Sequence, residues 1–168
     1  MPVPPGGDAR AFDGAVTRPG AWFCGLGLLA ASGCGPGADA GPRAPEPVVM
    51  ALLGDAEGGG PAAWAQLVDL GRETFDAMQC GQCHRFDAKP ATGPSLRGIA
   101  GSTSRVDDPD APDGYREVTA DRAWLWESIV HSQANFVKGY EDTTRMSRYA
   151  QVLDPEEVAG LIAWLETR

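Results

Sequence analysis

The sequence predicts an all-α fold for roughly its last hundred residues, on three observations. Apolar residues recur there at helical spacing in three stretches. No strand-period run and no internal repeat interrupts them, and the connections are long and turn-rich. Glycine and proline are concentrated before residue 62, which leaves the material for a core after it.

Taken in order, residues 21 to 33 form an apolar run that follows Arg10 and Arg18. It is short of the about 20 apolar residues a bilayer span needs and suits the central region of an export signal. The run closes on Leu29-Ala30-Ala31-Ser32-Gly33-Cys34. Small residues before a cysteine resemble the lipobox of bacterial lipoproteins, although Ala31 stands where leucine is usual. Residues 1–34 are therefore expected to be an export signal that leaves a lipid on Cys34 and holds the protein on the periplasmic side of a bacterial membrane. Cleavage without a lipid and a short membrane anchor are the alternatives, and Cys24 reads as part of the apolar run. Residues 35–61 are rich in glycine, proline and alanine and predict a disordered linker. Within it Val48 to Leu53 is a small apolar island, read as incidental, with docking onto another surface as the alternative.

Residues 62–168 are expected to form the domain. Pro61 suits a first helical position, and Trp64, Leu67, Val68, Gly71, Phe75 and Met78 mark one stripe. Gly71 costs about 1 kcal/mol against alanine inside a helix, so a second backbone is expected to approach there. The last helix is the candidate, capped by Asp154 with Pro155 and Glu157, and carrying Val158, Leu161, Ile162 and Leu165. Phe75 and Trp164 would pack about the crossing. A third helix runs from a cap at Thr119 to about Ser132. Between lie Gly93-Pro94 and an acidic loop from Asp107 to Gly114.

The chemistry sits in Cys80-Gly81-Gln82-Cys83-His84, a C-x-x-C-H sequence. Two thiols three positions apart with an imidazole directly after suit covalent haem attachment, each cysteine adding across one vinyl group while the histidine faces the iron. Such a cofactor would enlarge a small core considerably. Zinc and a redox dithiol are the rival readings. Zinc wants four N or S ligands, and apart from these three residues the domain offers only His131; a redox C-x-x-C usually sits on a βαβ pattern. Nor do Cys24, Cys34, Cys80 and Cys83 suggest a disulfide framework. If His84 is an axial ligand, its other ring nitrogen wants an acceptor, and the carbonyl of Pro94, ten residues on, can supply it. Met146 is the expected second ligand, with His131 or an open iron as alternatives. Trp124, Trp126, Tyr115 and Arg105 are the candidates for the haem propionates. The 168 residues carry a net charge of -9, and from residue 63 onward 11 Lys and Arg stand against 17 Asp and Glu. No basic cluster interleaves with aromatics, which argues against nucleic acid as a partner.

These residues resemble the class I cytochromes c over about residues 66 to 168: Gly71-x-x-x-Phe75, then Gly93-Pro94-Ser95-Leu96-x-Gly98-Ile99-x-Gly101, then Leu161-Ile162-Ala163-Trp164-Leu165. The stretches Gly93 to Gly101, Thr119 to Val130, Asn135 to Tyr140, and Met146 with Tyr149 look most like the cytochrome c domain fused to subunit II of some bacterial haem-copper oxidases, although its copper domain has no counterpart here. The resemblance implies a small helical domain wrapped around one covalent haem c, ligation by His84 and Met146, Pro94 as the partner of His84, and one-electron transfer between a redox protein donor and acceptor. It departs at Ser147, where the family generally has proline. With one haem motif and no catalytic constellation, an electron carrier of a respiratory chain is expected and not an enzyme. The alternatives are a haem sensor or peroxidatic protein with a labile sixth ligand, and a fixed electron-transfer subunit of an oxidase or dehydrogenase complex.

Overall fold

The computed structural model describes residues 42–87, 89, 91–143 and 146–168. The expected export signal, Cys34 and the first part of the linker lie outside them. Four helices and one two-stranded antiparallel sheet make up the described chain, so it is mostly helical.

Two helices from opposite ends of the domain form its frame. Gly60, at φ 82°, turns the chain into α2 (Pro61–Ala77), with Pro61 at the start. α4 (Pro155–Leu165) opens on the expected capping box, the Asp154 N–H donating to Glu157 Oε2 at 2.8 Å. All its residues from Val158 to Leu165 are buried. The two helices cross at Gly71 and Gly160, where a Cβ added to Gly71 would lie 1.9 Å from the Gly160 carbonyl oxygen. The expected close approach is thus present, and its partner is a second glycine. Phe75 and Trp164 stack beside the crossing with ring centroids 4.6 Å apart, and Phe86 closes the trio at 5.2 Å from Trp164.

The expected linker contains a helix, α1 (Glu46–Gly58). Its Val49 and Leu53, one turn apart, are fully buried against the core, as is Ala44 just before it. The island from Val48 to Leu53 is therefore a docking stripe. Polar bonds fix its ends. The Trp126 indole donates to the Ala44 carbonyl at 2.8 Å, and Arg43 bonds to the carbonyl of Val152 and pairs with Asp154. Arg122 bridges Glu57 and Glu166, each at 2.7 Å. The expectation of disorder rests on the glycine, proline and alanine around this run; of the run itself only Val49 and Leu53 are buried, and the helix draws its stability from the surface they meet.

The all-α expectation also misses a hairpin, β1 (Thr103–Asp107) paired with β2 (Tyr115–Thr119), in register from Thr103 opposite Thr119 to Asp107 opposite Tyr115. Each strand buries a single apolar side chain, Val106 and Val118, too few for a visible alternation. Because Thr119 belongs to β2, the next helix starts later than expected: α3 (Arg122–Val130) is capped by Asp121, whose carboxylate accepts from the Trp124 N–H at 2.9 Å.

Candidate haem site

The C-x-x-C-H segment follows α2 directly. Gln79 takes a left-handed conformation, φ 57°, and turns the chain into a single 3-10 turn over Cys80–Gln82. The N–H groups of Cys83 and His84 both bond to the Cys80 carbonyl, at 3.2 and 3.0 Å. Cys80, Cys83 and His84 consequently line one cleft of about 550 Å³, a volume within the range that encloses organic cofactors.

A returning strand of chain fixes the imidazole. The Gly93 N–H bonds to the Cys83 carbonyl at 2.9 Å and the Leu96 N–H to the Arg85 carbonyl at 2.8 Å. This stitching sets the Pro94 carbonyl oxygen 2.9 Å from His84 Nδ1. A carbonyl only accepts, so Nδ1 carries the proton and Nε2 keeps its lone pair for a metal. Gly93 is required beneath the ring, since a Cβ there would meet His84 Cε1 at 2.7 Å.

Met146 lines the same cleft, with Tyr149 beside it in sequence. His131 does not: it is exposed at the end of α3, its ring edge-on to Trp126 at 5.3 Å. No Asp or Glu is among the described lining residues, and apart from His84 the only basic side chain is Arg97, in a chain of net charge -9. Burial pushes the Cys80 thiol up, with Cys83 and Asp76 adding to the shift, and burial likewise raises Tyr149. Both cysteines are free thiols. Among the described residues no three His, Cys, Asp or Glu side chains converge as metal donors.

The cytochrome c family model matches residues 68–168, more than half of the chain. The chain belongs to the cytochrome c family. No match is found among curated proteins. Membership implies covalently bound haem c, and the cleft of this cytochrome c suits that group on three counts. Two thiols and an oriented imidazole share one wall, the lining is largely apolar, and the indole Nε1 of Trp124 is buried in the lining without an acceptor among the described residues. A propionate would satisfy that donor. The other propionate candidates are engaged elsewhere: Trp126 with Ala44, Tyr115 with Glu141 and Arg105 with Asp113, and none of them lines the cleft. The match is to the family at large, and the narrower likeness to a domain fused to oxidase subunit II is not supported. α1 lies outside the matched residues.

Proposed function

We propose that this cytochrome c carries single electrons, with haem c joined to Cys80 and Cys83 and ligated by His84 and Met146. One observation carries the reading: the two thiols, an imidazole held in its Nδ1–H tautomer by the Pro94 carbonyl, and a thioether all line one cleft with no carboxylate among its described lining residues. When bound, haem c supplies the ferric/ferrous couple, and a thioether ligand favours its ferrous form. The chain's own part is to orient the imidazole and to enclose the macrocycle in a largely apolar lining. Carriage and not catalysis is the general role of such domains.

The proposal extends to location. Export by residues 1–34 and a lipid on Cys34 are supported by the apolar run and the small residues before Cys34, and a carrier held there would exchange electrons with redox proteins of a membrane respiratory chain. No described helix is long and apolar enough to cross a membrane.

The test is an absorption spectrum of the purified protein, oxidised and reduced, with a haem assay under denaturing conditions. Haem that stays with the polypeptide is expected, together with a spectrum that Met146→Ala changes and His131→Ala does not. Rapid binding of carbon monoxide to the reduced wild-type protein at neutral pH would overturn the Met146-ligated carrier and favour the sensor or peroxidatic reading.

A further inference from the structure

The stretch that carries Met146 has no regular structure from Met146 to Tyr149. A proline after the methionine would stiffen such a stretch, fixing its own φ and pushing the preceding residue to extended backbone. Ser147 provides neither restraint. What restrains it lies at the end of α3. Ser132 Oγ is 2.9 Å from the Ser147 carbonyl oxygen and 3.4 Å from that of Met146. The next residue, Gln133, accepts from the Arg148 guanidinium at 3.1 Å. Downstream, the Arg43 N–H bonds to the Ala150 carbonyl at 2.8 Å.

We propose that Ser132 is a positioning residue for Met146, its hydroxyl holding the backbone on the C-terminal side of the methionine so that the thioether stays at the sixth position. The inference rests on the reading of Met146 as a ligand. A serine hydroxyl has one proton to donate, and the shorter contact assigns it to the Ser147 carbonyl. That carbonyl belongs to the residue whose backbone lacks proline's restraint. Ser132 itself lines the cleft, so the bond ties the ligand stretch to the turn that ends α3, part of the cofactor's wall. Removing a hydrogen bond of ordinary net strength raises the population of the released conformer about fivefold.

The experiment uses the full-length haem-loaded protein and four forms of it: wild type, Ser132→Ala, Ser132→Thr and Met146→Ala. Two readouts are taken well below the melting transition, where circular dichroism verifies the fold: the rate of carbon monoxide binding to the reduced protein, and the charge-transfer absorption of thioether-ligated ferric haem. Ser132→Ala is expected to bind carbon monoxide about fivefold faster, as the released population grows, and to lose part of the charge-transfer band. Ser132→Thr, which keeps the hydroxyl, is expected to return both towards wild type. If Met146→Ala abolishes the band while Ser132→Ala leaves both readouts at wild-type values, the positioning role is refuted and the ligand reading stands. If Met146→Ala leaves the spectrum unchanged, the ligand reading has failed, and the inference with it.

Discussion

The same substitution, glycine to alanine, is expected to have opposite effects at three helical positions. At Gly71 in α2 the new Cβ would sit 1.9 Å from the Gly160 oxygen, 2.2 Å from its carbonyl carbon and 2.8 Å from the Leu161 nitrogen. Non-bonded heavy atoms settle near about 3.5 Å, so the helices must part by about 1.5 Å. All three neighbours are backbone, and no side chain can swing away to make room. Overpacking of this severity costs about 3 kcal/mol, against about 1 kcal/mol recovered from alanine's helix propensity, leaving about 2 kcal/mol of destabilisation. For a folded unit of this size that lowers Tm by about 8 °C. Gly160→Ala meets the Gly71 nitrogen at 2.8 Å and the Leu67 oxygen at 3.0 Å, a milder clash that is expected to cost about 1 kcal/mol net. Gly54 in α1 has nothing within 4 Å of its added Cβ, so Gly54→Ala is expected to stabilise by up to about 1 kcal/mol. Thermal and urea unfolding followed by far-ultraviolet circular dichroism measures all three. A Gly71→Ala protein as stable as wild type would refute the crossing as a backbone-to-backbone contact.

Two further outcomes follow from the site. The Arg85 guanidinium bonded to Asp87 holds that carboxyl at about 2, down from 3.8. A lowered folded-state value means the pair's contribution is complete above 3.8 and is lost as the pH falls towards 2. Urea midpoints of wild type and Asp87→Asn are therefore expected to differ at neutral pH and to draw together as the pH falls through that interval; a difference as large near pH 2 as at neutral pH would exclude the linkage. Trp124→Phe removes an indole N–H that has no acceptor among the described residues, and in the haem-loaded protein it is expected to cost about 1.5 kcal/mol more than Trp164→Phe, if a carboxylate of the cofactor accepts it. Trp164 carries an equally unpartnered N–H away from the cleft and controls for packing. Equal losses in urea unfolding would remove Trp124 from the cofactor's contacts.

The elements that were legible carry their own local signal. α2 and α4 announce themselves by apolar spacing, by Pro61 and Pro155, and by the capping pair Asp154 and Glu157, and the cost of Gly71 in a helix pointed to the crossing. The C-x-x-C-H turn is readable because its residues are adjacent, and the contact of His84 with the Pro94 carbonyl ten residues on follows from the Gly93-Pro94 turn. What was missed depends on distant partners. Leu53 and Val49 mean little until α4 and α3 offer them a surface, and the hairpin's strands are mostly Thr, Ser, Arg, Asp and Glu with one buried valine each. Among the propionate candidates, Trp124 and Trp126 lie two residues apart on one short helix, and only the fold separates the indole in the cleft from the one spent on Ala44. Ser132 has no sequence signature, since a serine after a helix is ordinarily solvated.

Helix α1 changes where the folding unit begins. A chain trimmed to the matched residues 68–168 would lose Ala44, Val49 and Leu53 from the core, each apolar side chain of the latter two contributing about 1.5–3 kcal/mol of burial. It would also leave an apolar scar on the helices they cover, strip the Trp126 N–H of its acceptor and free one side of Arg122. Scars of that kind promote self-association. Covering that surface takes residues 42–67 as well as those matched, and a fragment of 68–168 that keeps every haem-binding residue is expected to aggregate.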